Sequence, residues 1–391
     1  MNRNILILTD QIVRPLYAVR LRSFIDGLTA NGWTVEVYAE KGDDINFEHS
    51  YPITEIDFYK SKFDKTVKQI TSLLFDWKNR YFSHKVQQLT KNNDYALVFA
   101  TTFSTFPLRA TAEVAKQKDI PFVADVRDLD EQVEGIGQHY SKYNKCLSPI
   151  ISLYRHINRN RRNRQLKNAS LVTTVSEWHK DFLKHINPNT ELIYNGFDAS
   201  LFQPTTIKTN EFKIIYTGRV YDNNTQDPTL LFLAQQKLPF AIVDWITDEQ
   251  SFERVKSHAA KYGVEQLQRY CGTSPHEQMP HYLAQASVVL VLTNNKAHGV
   301  LTTKFFEAYA MQKPVLCVKS DEGELQQLME TTNAGMAAKT VDEVVDFLQQ
   351  KYQEWQVAGY TKQTHTSDKD FSRQHQACLL EQLLLQLTNE N

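Results

Sequence analysis

The chain has 391 residues, 41% of them hydrophobic and 23% charged, with a formal net charge of -1. That is the profile of a soluble globular protein long enough for two domains with sizeable cores, and a net charge near zero argues against a general nucleic-acid binder. Cys146, Cys271, Cys317 and Cys378 lie far apart with no metal-ligand spacing, so free thiols in a reducing cytoplasm are expected and a disulfide framework is not.

The first apolar run, Ile5-Leu6-Ile7-Leu8, is closed by Asp10. It is too short for a secretory h-region or a membrane span, and no later stretch spans, so any membrane contact is expected to be peripheral. A continuous run of this kind marks a strand buried on both faces. A helical pattern follows through Leu21, Phe24, Ile25 and Leu28, then a second strand at 34–38. Such a β-α-β unit implies a parallel sheet. The alternation continues with strands at 96–100, 121–124, 170–175 and 192–194, and with helices at about 108–118 and from Glu177. Asn195-Gly196 is a turn signal, and the segment 198–211 with Pro204 marks a domain boundary. A second series places strands at 212–218, 240–243, 287–292 and 314–318. A last helix, about 372–387, carries Leu379, Leu380, Leu383, Leu384 and Leu387 on one broad face. The fold expected is α/β: two tandem Rossmann-like, doubly wound domains, 1–203 and 204–366, facing a cleft, with residues 367–391 packing back on the first.

Ligands of such sheets bind beyond the carboxyl ends of the strands. After the strand at 212–218, Gly218 permits close backbone approach, and Arg219 offers a planar fork for phosphate oxygens or is a solvated turn residue. Gly272 ends another strand. Thr273-Ser274-Pro275 then starts a helix, with Ser274 read chiefly as its cap, and the segment could line a base pocket through backbone groups. The stretch from Gly299 to Leu316 reads as loop, helix and buried strand. Thr302 and Thr303 are N-cap candidates at a helix mouth whose unpaired N–H groups suit a phosphate. Lys304 is a phosphate partner or a first-turn surface lysine. Glu307 lies one residue beyond the capping-box position counted from Thr303, so it is read as an acceptor for a vicinal diol such as ribose. In the first domain, Asp125, Arg127 and Asp128 crowd the end of a strand, either to bind ligand hydroxyls or as an Asp–Arg pair that organises the loop. Residues 10–20 hold Arg14 and Arg20 without a glycine, which rules out a dinucleotide fingerprint; Arg20 is placed to meet a phosphate.

Basic residues collect in two stretches. Between Gly135 and Ser176 stand Lys142, Lys145 and the Arg155–Lys167 region, with no acid at all. Earlier, Lys60, Lys62, Lys65, Lys68, Lys78, Arg80 and Lys85 interleave with Phe58, Phe63, Phe75, Trp77, Tyr81 and Phe82. The pattern suits an anionic membrane surface, and equally a solvated face above a core or a nucleic-acid patch.

Taken in order, Val175-Ser176-Glu177, Tyr194-Asn195-Gly196-Phe197-Asp198, Tyr216-Thr217-Gly218-Arg219, Cys271-Gly272, Thr303 to Ala310 and Lys313-Pro314-Val315 resemble the signposts of the GT-B glycosyltransferases, in particular the family 4 group. Asp125-Val126-Arg127-Asp128 resembles a motif of the branch that builds bacterial surface polysaccharides. The resemblance implies a cytoplasmic hexosyltransferase, peripheral to the membrane at most. It would use a nucleotide-diphosphate sugar and a lipid-linked or oligosaccharide acceptor, retain anomeric configuration, and need no cofactor, metal or nucleic acid. Arg219, Lys304 and Asp128 would be catalytic. Gly218, Arg219, Thr302, Thr303, Lys304, Glu307 and Gly272 would bind the donor, and Asp125, Arg127 and Arg20 would face the acceptor or cleft. Gly299 stands where many members carry a first Glu, and no Lys follows Arg219 in Val220-Tyr221-Asp222-Asn223-Asn224, so Lys304 is expected to take over that charge. A nucleotide-sugar epimerase of the same fold and a catalytically inactive sugar-nucleotide-binding protein are the alternatives.

Overall fold

The computed structural model describes residues 2–10, 19–41, 52–59, 61, 63–64, 67–68, 71, 75–102, 105–132, 148–221, 226–296, 298–366 and 369–389. Arg14, Lys60, Lys62, Lys65, Lys142, Lys145 and Asp222-Asn223-Asn224 lie outside the described residues. The chain divides into two compact units. The first ends at Asn195 and takes in the chain again from Arg373, and the second runs from Gly196 to Ser372 and also takes in Gln132. The division falls at the Asn195-Gly196 turn, ahead of the 203/204 boundary expected from sequence. The reason is that the following segment already belongs to the second unit: Phe202 is 2% exposed, its ring centroid lies 5.4 Å from that of His276, and Phe197 bridges in parallel to Ser372.

In the first unit, β1 (Asn4–Thr9), β2 (Thr34–Glu40), β3 (Ile53–Ile56), β4 (Leu97–Thr102), β5 (Phe122–Val126), β6 (Leu171–Thr174) and β7 (Thr190–Leu192) form one sheet. Its order is β3-β2-β1-β4-β5-β6-β7, with parallel pairings throughout. Alternate residues of a strand face opposite sides. Ile5, Ile7, Leu97 and Phe99 therefore enter one core with Leu21, Phe24 and Ile25, while Leu6, Leu8, Val98 and Ala100 enter the other with Phe82, Val86 and Val114. Burying side chains of this size contributes about 1.5–3 kcal/mol each. The C-terminal helix Arg373–Asn389 lies on the helix Val19–Ala30. Leu380 and Leu384 are fully buried there, Ala377 sits where a Cβ on Gly27 would meet it at 2.7 Å, and Glu381 accepts from the Trp33 indole at 3.0 Å.

The second unit contains β8 (Ile214–Thr217), β9 (Val243–Ile246), β10 (Gln268–Tyr270), β11 (Val288–Leu292), β12 (Val315–Val318) and β13 (Gly335–Ala337). They pair in parallel in the order β10-β9-β8-β11-β12-β13. β9 sits later than the strand expected at 240–243. Asp244 interrupts the apolar run Val-Asp-Trp-Ile that forms it, and the Phe240 ring instead stacks 3.9 Å from Tyr352. The short edge strands β3 and β13 were not legible either, since Thr54 and Glu55 are exposed and β13 is only Gly-Met-Ala.

Strand order reverses between β1 and β4, and again between β8 and β11. The crevice beyond the carboxyl ends at such a reversal is where open α/β sheets bind ligands. In the second unit the segments leaving that point are Gly218-Arg219 and the loop into the helix Thr303–Ala310.

Candidate active site

Thr302 caps the helix Thr303–Ala310: its hydroxyl oxygen accepts from the Lys304 N–H at 3.3 Å. The N-terminus of the helix, with its partial positive charge and outward N–H groups, thus opens at the reversal point. Lys304 and Glu307 are three residues apart and share one helix face. The Lys304 ammonium lies 5.1 Å from the ring centroid of Tyr216, the buried last-but-one residue of β8. Gly218 is what admits it. Its φ is +89°, and a Cβ there would stand 3.3 Å from Lys304 Cε and Nζ. Burial pushes the Lys304 ammonium below its ordinary pKa, and the Glu307 carboxylate pulls it part of the way back. A desolvated ammonium of this kind is stabilised by an arriving anion.

Arg219 is 69% exposed, with its Nε 3.7 Å from Asp248. Asp248 caps the helix Glu249–Ala260, accepting from Ser251 N and Oγ at 2.9 Å each. The backbone of the arginine is pinned by the Tyr216 hydroxyl, which donates to its carbonyl at 2.7 Å. Glu307 is 4% exposed and accepts from His276 Nε2 at 2.9 Å; among the described residues its carboxylate has no other hydrogen-bond partner. His276 was not singled out from sequence, because Ser274-Pro275-His276 reads as a helix start. The one available signal was an imidazole just beyond the carboxyl end of a strand. Ser274 does not cap: its hydroxyl donates to the Gln278 side chain at 2.9 Å. Gly272 adopts φ +74° with nothing within 4 Å of a built Cβ, so it shapes the loop that carries His276. Gly218, Thr302, Lys304 and Glu307, with His276, therefore gather at one end of the second sheet.

The first unit corrects two expectations. Asp125 does not face a ligand. It is fully buried on β5 and accepts from Arg20 Nη2 at 2.8 Å, Thr173 Oγ1 at 2.8 Å and Thr101 Oγ1 at 3.0 Å. Arg20 does not await a phosphate, because its Nη1 donates to the carbonyls of Ile193 at 2.7 Å and Tyr194 at 2.9 Å. Burial by itself would raise the Asp125 pKa; the Arg20 guanidinium and the hydrogen bonds outweigh it and hold the carboxyl below its ordinary range. Arg127 is buried beside this pair, and only Asp128 of the motif is exposed.

The Glycosyltransferase Family 4 model matches residues 18–201, and that of the Glycosyl transferases group 1 matches residues 198–350. The chain is a glycosyltransferase of the family 4 type. No curated protein sequence matches it. Among solved structures, a glycosyltransferase from Rickettsia africae aligns with a TM-score of 0.66 at 14% identity over 100% of both chains. Sucrose-phosphate synthase from Thermosynechococcus elongatus gives 0.64 at 16%, also over 100% of both chains. Anabaena HepE in complex with UDP gives 0.61 at 14%, over 99% of this chain and 98% of that one. At such identities the likeness establishes the GT-B fold of this glycosyltransferase.

The basic stretch of the glycosyltransferase is more neutral than it reads. On the helix Ser148–Lys167, Arg155 pairs with Asp130 at 3.3 Å, Arg159 with Glu131 at 3.5 Å, and Arg162 with Glu131 through bonds of 2.8 and 3.0 Å. These acids precede the acid-free stretch, which is why the sequence hid them. Arg164 and Lys167 are exposed with no acidic partner among the described residues, and Leu153 and Tyr154 are exposed on the same helix. In the earlier stretch Phe58 and Phe82 are core residues and Lys78 pairs with Glu40 at 2.6 Å, whereas Phe63 and Phe75 are exposed. Among the described residues no helix is long and apolar enough to cross a membrane.

Proposed function

We propose that the enzyme moves a hexose from a nucleotide-diphosphate donor to a lipid-linked or oligosaccharide acceptor in bacterial cell-surface polysaccharide synthesis, with retention at the anomeric carbon. The observation that carries the donor side is the grouping of Lys304 and Glu307 on one face of a helix whose N-terminus opens at the reversal of the second sheet. The diphosphate would lie across Gly218, Thr302, Thr303 and the helix N–H groups, and the ribose diol would meet Glu307. The UDP bound by Anabaena HepE supports a nucleotide ligand. As the bond from sugar C1 to the diphosphate breaks and the bond to the acceptor oxygen forms, negative charge grows on the leaving diphosphate. Lys304 and Arg219 would stabilise it, the lysine gaining most because it is already desolvated. Asp128, exposed at the end of the first unit's motif, is the proposed catalytic group on the acceptor side, with Arg127 behind it. Leu153, Tyr154, Arg164 and Lys167 support peripheral contact with an anionic membrane, where a lipid-linked acceptor would lie.

The direct test is Glu307→Ala. Its affinity for nucleoside diphosphates should fall by about ten- to a hundredfold, the worth of hydrogen bonds to a charged group, with the thermal midpoint little changed. Retention of both affinity and turnover would remove Glu307 from the donor site.

A further inference from the structure

We propose that His276 is a positioning residue that aims the Glu307 carboxylate at the donor ribose; this rests on the reading of Glu307 as the diol acceptor. An ionised carboxylate only accepts hydrogen bonds, so the 2.9 Å contact requires a proton on His276 Nε2, whether the ring is neutral or charged. That bond engages Oε1 and leaves the second oxygen of a 4% exposed carboxylate without a partner among the described residues. A glutamate side chain tethered only at its Cα samples several rotamers, and a diol that must bridge to one carboxylate edge loses affinity in proportion. One charge-assisted bond to a fixed donor removes most of that freedom.

The imidazole is itself fixed. Its ring centroid sits 5.4 Å from that of the buried Phe202, and it starts the short 3-10 turn His276–Gln278 directly after Pro275. A line of contact thus runs from Phe202, in the segment just after the turn between the units, through His276 to Glu307. It has one donor at its end and one carboxylate oxygen to spare.

The test compares ribose with deoxyribose. Dissociation constants are measured for uridine, guanosine and adenosine diphosphates and, for whichever binds, for its 2′- and 3′-deoxy analogues. The wild-type protein should prefer the ribonucleotide roughly tenfold or more over at least one analogue. Glu307→Ala should bring that ratio close to one. His276→Phe, which keeps an aromatic ring against Phe202 but has no donor, should do the same. His276→Gln, whose amide N–H can reach Oε1, should restore most of the preference. If Glu307→Ala leaves the ratio unchanged, the reading of Glu307 fails and His276 has nothing to aim. If Glu307→Ala collapses the ratio while His276→Phe keeps it, the positioning role is overturned and Glu307 stands. A His276→Phe protein that binds every ligand more weakly at an unchanged ratio shows a packing role only, which also overturns it. Binding of none of the three diphosphates sinks both ideas.

Discussion

Asp125 and Glu307 are both carboxylates buried against a parallel sheet, one in each unit, and both stand close to charged residues in the sequence. Asp125 is saturated: Arg20, Thr101 and Thr173 all donate to it, and Arg20 is tied in turn to two backbone carbonyls. Glu307 accepts from His276 alone among the described residues, next to an ammonium that burial has destabilised. The first arrangement holds a fold together and has nothing left for a ligand. The second leaves one carboxylate oxygen without a hydrogen-bond partner among the described residues. Hydrogen-bond saturation, rather than charge or burial, separates Asp125 from the carboxylate proposed to bind the donor.

The largest effect is expected from Asp125→Ala. It strands the Arg20 guanidinium in the interior, and such losses amount to about 3–5 kcal/mol. Urea unfolding should show that loss, while Glu307→Ala stays near wild type; equal costs for the two would erase the distinction. Next in size is Lys304→Met. Turnover should drop about 10²–10³-fold, the range for removing a group that meets developing charge. Arg219→Ala should cost less, because Arg219 is largely solvated before any ligand arrives. A larger loss at Arg219 would reverse the proposed division of labour.

Acidification tests both units together. Burial lowers the pKa of His179 in the first unit and His365 in the second from 6.5 to about 4, with Arg162 adding to the effect at His179. Each ring is kept neutral by the fold and takes up a proton more readily when unfolded. Stability should therefore be complete above pH 6.5 and erode as pH falls toward 4. Asp125, whose folded pKa lies below 3.8, contributes in full above that value and loses its contribution only at lower pH. Urea midpoints that stay flat from pH 7 to 4 would count against both buried histidines. The smallest effect concerns the helix Ser148–Lys167, where the same contrast between partnered and unpartnered groups recurs. Reversing Arg164 and Lys167 should weaken flotation with anionic liposomes by about 1 kcal/mol per charge, and more so at low salt. Arg155→Gln should change it less, because Asp130 already neutralises that side chain.

Much of this was legible in the chain. Ile5 to Leu8 and Val288 to Leu292 declare buried parallel strands, because continuous apolar runs fit only a sheet covered on both sides. Elements were lost where the local signal is weak: Asp244 inside β9, and the short edges β3 and β13. The helix start at Thr302-Thr303 was also readable, since N-cap residue types mark a helix start locally.

What the sequence alone determined, then, are the two α/β units and the helix mouth that gathers Lys304 and Glu307, both products of short-range periodicity and spacing, and, through the resemblance of its motifs, the family. Only the tertiary structure decided which charged groups are already satisfied. Arg20 reaches Asp125 across 105 positions, Glu131 reaches Arg162 across 31, and His276 reaches Glu307 across 31. Hydrogen bonds depend on ångström-scale distance and direction, and no spacing along the chain encodes either once the partners come from different elements.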